Sequence, residues 1–177
     1  MTEKGLIHVY YGDGKGKTSA ALGLALRAAG CGKNVVIVEF LKSWSSGELN
    51  SLMQVSNVKV FRGKAAGGKF VHEMSDMEKR ETTASQNESL RNALELVEVG
   101  QCDVLILDEA IDAQELGVLD SVLLEDLVYS KPLRLELILT GHAPDKRLLE
   151  HADYVTEMVK RKHPYDVGTN ARQGIEY

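Results

Sequence analysis

Cysteines and long apolar runs are scarce in this sequence, and each absence excludes a class of protein. Cys31 and Cys102 are the only cysteines among 177 residues, which is too few for a small secreted fold held by disulfides. No apolar run approaches the ~18 residues that a membrane-spanning helix needs, and the chain does not open on a secretory apolar segment. We therefore expect a soluble protein of a reduced, cytoplasmic compartment, with no membrane partner.

Positive charge is also scarce. The chain has 21 Lys and Arg residues against 26 Asp and Glu residues, a formal net charge of −5 at pH 7. A protein that coats nucleic acid needs a broad positive surface, so we predict no nucleic-acid partner. A chain of this length is expected to form a single domain, residues 1–177, and to bury roughly 70% of its unfolded surface without disulfides.

Apolar, β-rich segments alternate with helical patterns from one end of the chain to the other. The predicted strands are residues 6–10, 35–40, 58–61, 104–107, 135–140 and 154–159, and the predicted helices are residues 18–29, 75 to about 100, 121–129 and 144–151. Segments 35–38 and 104–107 are apolar on both faces, as expected for parallel strands covered by helices above and below. The sequence therefore predicts an α/β fold with a mostly parallel sheet of about six strands and helices on both faces.

Several residues mark the predicted helix ends. Gly30 is the expected C′ glycine of the first helix, and Pro144 is expected in the first turn of the last one. Ser75 and Glu78 form a capping-box pattern at the start of the long helix. Two segments do not fit the alternation and are expected to be irregular: the basic, glycine-rich residues 62–69 and the tail, residues 160–177.

A glycine-rich segment joins the first predicted strand to the first predicted helix: Gly12, Asp13, Gly14, Lys15, Gly16, Lys17 and Thr18. Glycines let several backbone N–H groups face one anion, and the positive end of the following helix adds to their field. Lys17 is placed to reach phosphate oxygens, and the Thr18 hydroxyl to bind Mg²⁺. The strict P-loop spacing needs glycine at position 11, where this chain has Tyr11. We therefore predict a variant P-loop on a P-loop NTPase-like (RecA-like) sheet; Lys17 at the third glycine position excludes a dinucleotide loop.

Two carboxylates follow the fourth predicted strand. The apolar residues 104–107 carry the chain through the sheet and lead to Asp108 and Glu109, at the edge where α/β folds bind ligands. Asp108 is a candidate Mg²⁺ ligand, directly or through water. Glu109 is a second ligand or, in an ATPase, the base that orients water. With the phosphate loop, this pair predicts binding of a nucleoside triphosphate with Mg²⁺, but it leaves open hydrolysis, phosphoryl transfer and chemistry elsewhere on ATP.

Further motifs extend this pattern over essentially the whole chain: Gly12–Thr18, Gly23–Gly30, Phe40–Lys42, Leu107–Glu109, Leu139–Gly141, the Lys-His-Pro-Tyr-Asp segment Lys162–Asp166, and Gly174–Tyr177. In this combination the chain resembles the P-loop type of ATP:corrinoid adenosyltransferase. The resemblance implies transfer of the 5′-deoxyadenosyl group of ATP to the Co(I) of a corrinoid, such as cob(I)yrinic acid a,c-diamide, with release of inorganic triphosphate. The reaction belongs to adenosylcobalamin synthesis or salvage, and the family implies Mg²⁺ or Mn²⁺, a flavoprotein reductant and a homodimer.

The resemblance also assigns roles to individual residues. The implied ATP contacts are the phosphate loop and two positions of the first helix: Gly12, Asp13, Gly14, Lys15, Gly16, Lys17, Thr18, Ser19 and Arg27. The implied metal ligands are Thr18, Asp108 and Glu109. Because Co(I) is itself a strong nucleophile, the protein needs no activated serine or base, and the expected catalytic residues are Lys17, Glu109 and Phe70.

The corrinoid side departs from the family pattern. Members often carry a Gly-Phe-x-Trp segment whose aromatic rings press on the lower corrin face and displace the axial ligand, which eases reduction to Co(I). The aligned residues here run from Lys69 to His72, so Phe70 keeps the apolar wedge while His72 replaces the tryptophan. Phe70 and His72 are the expected corrinoid-binding residues. Because an imidazole that ligates cobalt would oppose the reduction, we expect the His72 ring to be turned away from cobalt or protonated; the alternative is a loop histidine without contact to the corrinoid. The only tryptophan, Trp44, is a candidate for lining the cavity or for packing in the core or a lid.

Two other functions stay open at this stage. The His72 substitution motivates a nucleotide-dependent module that binds corrinoid without efficient catalysis. A P-loop ATPase or small-molecule kinase with Glu109 as its base is the third hypothesis.

Overall fold

The architecture is a six-stranded parallel sheet between two layers of helices. The computed structural model describes residues 4–42, 46–64 and 69–176. Its strands are β1 (Ile7–Tyr11), β2 (Val35–Glu39), β3 (Val58–Arg62), β4 (Val104–Asp108), β5 (Glu136–Gly141) and β6 (Tyr154–Glu157). They lie in the order β3-β2-β4-β5-β1-β6, and every neighbouring pair is parallel. The predicted α/β fold and its six strands are confirmed.

Six α-helices connect these strands in the described part of the chain: α1 (Lys17–Gly30), α2 (Gly47–Leu52), α3 (Asp76–Glu98), α4 (Ala110–Glu115), α5 (Ser121–Ser130) and α6 (Lys146–His151). Four of them are the predicted ones. The two that the sequence does not reveal, α2 and α4, are six residues long, too short for a helical period to stand out. The equally short α6 was predicted because Pro144 marks a helix start nearby. No helix among residues 4–42, 46–64 and 69–176 is long and apolar enough to cross a membrane.

Both faces of the sheet are buried at the central strands β2, β4 and β5, which explains the continuous apolar segments. Alanines of α1 pack in one cluster with Ile37 and Ile106. On the opposite face, α3, α4 and α5 pack in a second cluster that contains Leu105, Leu107 and Leu139. A parallel strand covered on both sides has no solvent-facing row, so its sequence does not alternate.

Two predicted helix ends need correction. Gly30 is the last residue of α1, and the left-handed C′ glycine is Gly32, with φ of 82°. The N–H of Gly32 donates to Ala29, and the N–H of Lys33 to Ala28, the paired bonds of a Schellman motif. Gly30 and Gly32 are two residues apart, and the positive φ that marks a C′ residue lies at Gly32.

Pro144 also lies outside its helix. The N-cap of α6 is Asp145, whose carboxylate accepts from the N–H of Leu148. Proline therefore precedes the cap and does not occupy the first turn, since the aspartate beside it is the stronger capping residue. In the described residues 160–176, the regular structure is a short 3₁₀ turn at Pro164–Val167.

The strand order brings the sequence motifs to one edge. The phosphate loop follows β1, Asp108 ends β4 and Glu109 comes next, while β5 lies between these two strands. Because the strands are parallel, their carboxyl ends meet at the same edge, and Thr140 of β5 stands between the two motifs.

Candidate active site

A cavity of about 1200 Å³ opens at the carboxyl ends of the strands. Its lining comes from the phosphate loop, the first turns of α1, the segment after β2, residues 69–71 and 74, the carboxyl ends of β4 and β5, and residues 174–176 of the tail. The two predicted halves of the site, phosphate loop and Phe70, therefore face one continuous space.

Close contact with the backbone after β6 explains the displaced glycine of the phosphate loop. A Cβ on Gly12 would lie 2.5 Å from the carbonyl oxygen of Met158, and a Cβ on Gly14 would lie 2.6 Å from the same atom. Gly12 also has φ of 109°, a conformation that other residues rarely adopt. The N–H of Gly14 donates to the Met158 carbonyl at 2.6 Å. Glycine is needed where the loop touches Met158, at positions 12 and 14, and Tyr11 is still part of the strand.

The two lysines of the loop have different partners. Lys17 Nζ donates to the carbonyl oxygens of Gly12 at 2.7 Å and Gly14 at 3.0 Å, so it spans the loop from inside. Lys15 Nζ donates outward, to Glu176 Oε1 at 3.1 Å and to the carbonyl of Ile175 at 3.3 Å. Both ammonium groups stay beside the loop, where they can meet a phosphate chain.

Thr18, Asp108 and Thr140 form a hydrogen-bonded chain of oxygen atoms across three elements. The Thr18 hydroxyl donates to Asp108 Oδ1 at 3.0 Å, and the Thr140 hydroxyl donates to the same oxygen at 2.8 Å. The backbone N–H of Glu109 donates to Thr140 at 2.8 Å. Hydroxyl and carboxylate oxygens are the ligands that Mg²⁺ and Mn²⁺ prefer. Glu109 lines the cavity beside them. The chemistry of this set fits the predicted metal ion.

Glu109 is held in an unusual state. Its φ of 62° is left-handed, rare for a residue other than glycine. Burial raises the pKa of its carboxyl group to about 7; Lys42 opposes the shift, and Asp108 and Asp112 add to it. Backbone strain and a partly buried carboxylate with a raised pKa are both typical of functional positions.

The structure shows a cluster that sequence reasoning missed: Glu39, Lys42 and Arg62. Lys42 Nζ donates to Asp108 Oδ2 and lies 3.7 Å from Glu39 Oε1, while Arg62 Nε lies 3.2 Å from Glu39 Oε2. Burial raises the pKa of Glu39, against the influence of Lys42 and Arg62. The signal was present, because Glu39 ends an apolar strand in the same way as Asp108 does.

Around Phe70, the predicted corrinoid contact, the cavity wall includes the apolar residues Val71 and Met74. Phe70 is 72% exposed and lines the cavity. The His72 ring stacks on it, with ring centroids 5.7 Å apart and planes at 10°, and His72 is not among the described lining residues. The imidazole therefore supports Phe70 from the side. Trp44 lies outside the described residues.

The remaining four predicted nucleotide contacts have separate positions. Gly16, with φ of 119°, lines the cavity. Ser19 lines the cavity. Asp13 accepts the N–H of Lys160 at 2.9 Å, which lowers the pKa of its carboxyl group and ties the loop to the tail. The structure does not bring Arg27 to the phosphate loop. Arg27 lines a second cavity of about 700 Å³ beside Lys4 and Arg134, which precede β1 and β5 at the opposite edge of the sheet.

Gly14→Ala tests the contact between loop and strand. The added Cβ would lie 2.6 Å from the Met158 oxygen and 2.9 Å from the Val159 carbonyl carbon. Since backbone atoms cannot yield as a side chain does, we expect a loss of about 2 kcal/mol in the free energy of unfolding and at least tenfold weaker ATP binding. Denaturant unfolding and an ATP titration measure these two effects. Gly30→Ala, whose Cβ would meet nothing within 4 Å, is the matched control, and equal behaviour of the two variants would contradict the account.

Glu109→Gln tests the cost of the buried carboxylate. Because its pKa is raised from 4.5 to about 7, the folded chain binds this proton more tightly than the unfolded chain. Stability therefore falls as the pH rises between these values, and the cost is fully present above pH 7. We expect the variant to be more stable at pH 8 by up to about 3 kcal/mol, and equal to the parent near pH 4.5. Glutamine keeps the same positive φ, so backbone strain cancels. A stability gain independent of pH would refute this assignment.

Comparisons with known proteins give the family. The model of the family "ATP:corrinoid adenosyltransferase BtuR/CobO/CobP" matches residues 3–177. The corrinoid adenosyltransferase of Escherichia coli K12 is 36% identical over 180 residues, with 99% of this chain and 87% of that protein covered. Corrinoid adenosyltransferase CobA of Salmonella typhimurium LT2 is 35% identical over 179 residues, with the same shares covered.

Among solved structures, the cytoplasmic domain of EssC matches with a TM-score of 0.54 at 17% identity, covering 98% of this chain and 35% of that one. At that identity the likeness concerns the fold alone. The family match spans nearly every residue, including the phosphate loop, the β4 carboxylates and the tail, and the chain belongs to the ATP:corrinoid adenosyltransferase family.

Proposed function

We propose that this protein transfers the 5′-deoxyadenosyl group of ATP to the Co(I) centre of a corrinoid and releases inorganic triphosphate. The observation that carries the proposal is the single cavity lined by both the phosphate loop and Phe70. Its volume of about 1200 Å³ exceeds that of a usual small-ligand pocket, ~300–1,000 Å³, so a nucleotide leaves space for the face of a second, larger substrate.

The reaction needs positioning more than acid–base chemistry. The Co(I) electron pair forms a Co–C bond at C5′ as the bond from C5′ to the phosphate oxygen breaks, and this oxygen leaves with the triphosphate. The protein must hold C5′ in line with cobalt and stabilise negative charge on the leaving group. Lys17, Lys15 and N–H groups of the phosphate loop would stabilise that charge.

A divalent metal ion, Mg²⁺ or Mn²⁺, is part of the proposal. Thr18, Asp108 and Glu109 would hold it, and it would supply charge neutralisation on the triphosphate. Glu109 then acts as a ligand and not as a base, because the nucleophile carries no proton. Its pKa near 7 allows the side chain to stay neutral in the free protein and to ionise when a cation arrives.

Several further properties are proposed with the activity. A flavoprotein reductant would provide Co(I), and a homodimer would cover the sheet edge at β6, where Tyr154 and Val155 are about half exposed. A reduced, cytoplasmic location agrees with two free cysteines. Sedimentation at micromolar concentration tests the dimer, which a monomeric mass would exclude.

An anaerobic assay tests the activity. The protein is mixed with Mg-ATP and chemically reduced cob(I)alamin, and the Co(I) absorbance and the phosphate products are followed. We expect loss of Co(I), a light-sensitive product and intact triphosphate. Orthophosphate with unchanged cobalt would identify an ATPase instead, and tight corrinoid binding without a Co–C bond would identify a binding module.

Lys17→Ala tests the phosphate loop. The variant loses both the cation and the ammonium that spans the loop carbonyls, so ATP affinity should fall by two orders of magnitude or more, about 3 kcal/mol. Lys15→Ala, whose ammonium already has a partner in Glu176, should lose less. Calorimetric titration gives both affinities, and an unchanged affinity of the Lys17 variant would contradict the site.

Phe70→Ala tests the corrinoid wedge. ATP binding should persist, while adenosylation that starts from Co(II) should slow at least tenfold and adenosylation from prepared Co(I) should not. Met77→Ala is the control, since Met77 is 63% exposed but is not among the described residues of the cavity wall. An equal loss with both cobalt states would show that Phe70 does not act on the reduction.

A further inference from the structure

Glu39 is a buried carboxylate that the proposed reaction does not use. It ends β2, directly opposite Asp108 in the sheet register, and its side chain is fully buried. Among the residues that the structure describes, none donates a hydrogen bond to either of its oxygens. Such a group is expensive to keep, because its desolvation is repaid only by close charges and hydrogen bonds.

Two cations lie near Glu39 without satisfying it. Arg62 Nε is 3.2 Å from Oε2 in a geometry that makes no hydrogen bond. Lys42 Nζ is 3.7 Å from Oε1, beyond hydrogen-bond range. A shift of about 1 Å would bring the Lys42 ammonium into hydrogen-bond range of Glu39. Both oxygens of Glu39 can therefore still accept a hydrogen bond, and the nearby Lys42 donates to Asp108 instead.

Lys42 is engaged by Asp108, whose carboxylate has no spare capacity. Its Oδ1 accepts from Thr18 and Thr140, and its Oδ2 accepts from Lys42 and, at 3.1 Å, from Thr18 as well, which fills the roughly four acceptor positions of a carboxylate. A metal ion that takes up one Asp108 oxygen must displace a donor. Lys42 is the donor that a cation repels, whereas the Thr18 hydroxyl can turn its oxygen toward the metal.

We propose that Glu39 is a positioning residue of the nucleotide site, which receives the ammonium of Lys42 when a divalent cation takes over Asp108. Lys42 then moves between two carboxylates and stays paired throughout, so metal binding leaves no buried ammonium without a partner. The inference rests on the metal site of the proposed function, and it adds a residue of this chain that prepares that site.

A simpler role would be static: Glu39 neutralises Arg62, or adds negative charge near the metal. The two accounts differ in what depends on Lys42. In the proposed role, which we call the relay, residue 39 must be a carboxylate within reach of Lys42. Replacing Glu39 then has no effect on metal binding when Lys42 is absent. A charge effect depends on the sign of residue 39 alone and persists without Lys42.

Mn²⁺ titration of the protein–ATP complex, without corrinoid and followed by electron paramagnetic resonance, tests the relay. No adenosyl transfer occurs under these conditions, so the result does not depend on the reaction. We expect Glu39→Gln to weaken Mn²⁺ binding at least tenfold, because Lys42 then has only Asp108. Lys42→Met should bind Mn²⁺ at least as tightly as the parent, and the double variant should match Lys42→Met, as a double-mutant cycle requires for one shared interaction.

Glu39→Asp keeps the charge but shortens the side chain by one methylene, which separates reach from charge. The relay predicts that Glu39→Asp also weakens Mn²⁺ binding. This variant replaces Glu39→Gln as the test if Glu39→Gln does not fold. The inference is overturned if Glu39→Asp matches the parent, or if Glu39→Gln costs as much in the Lys42→Met background as in the parent. A parent complex that binds no Mn²⁺ would overturn both the relay and the metal site, while leaving adenosyl transfer to its own assay.

Discussion

The carboxylate of Asp108 is the constraint on which the site depends. It is fully buried at the end of β4, and a buried charge must be compensated by its surroundings. Thr18 from α1, Thr140 from β5 and Lys42 from the segment after β2 supply that compensation. Satisfying one carboxylate therefore aligns the phosphate-loop helix, the intervening strand and the cavity wall, before any ligand is present.

The phosphate loop is fixed from its other side by the end of β6 and the tail. The Met158 carbonyl accepts from Gly14, and the backbone of Lys160 donates to Asp13. Farther along, Glu176 meets Lys15. A loop braced in this way presents its N–H groups at fixed positions, which is what stabilisation of a leaving triphosphate demands. The chemistry itself belongs to the corrinoid substrate, and the protein contributes geometry and charge.

The sequence predicted the fold well because its strongest signals are the ones that burial on both sheet faces imposes. The continuous apolar runs at 35–38 and 104–107 could belong only to covered parallel strands or buried helices, and their length decided between these. Helices α2 and α4 are too short to show a period, and no proline marks their start as Pro144 does for the equally short α6. The end of α1 was misplaced because Gly30 and Gly32 are equivalent as letters and differ only in φ.

The sequence could bring candidate residues together where they are close in sequence or end a strand. The Thr18 hydroxyl of the phosphate loop donates to Asp108, while their shared role in binding a metal ion stays a prediction. The Glu39–Lys42–Arg62 cluster was missed because its members come from two strands and a connecting segment, and only the strand order β3-β2-β4 brings them together. Arg27 is the opposite case. It is close to the phosphate loop in sequence, but α1 places it at the opposite edge of the sheet. The reason for the displaced glycine is contact with the Met158 backbone. The sequence could not show it, because Met158 lies about 140 residues farther along the chain.

The central claim is that the bond broken in ATP is the one between C5′ and oxygen. ATP labelled with ¹⁸O at the oxygen that joins C5′ to the α-phosphorus tests it most directly, in a single turnover with cob(I)alamin under anaerobic conditions. Attack at carbon leaves the label entirely in the released triphosphate, found as one species by mass spectrometry, with none in the adenosylated corrinoid. Label retained on an adenosine product, or orthophosphate in place of triphosphate, would show that the cavity directs attack at phosphorus and would contradict the account.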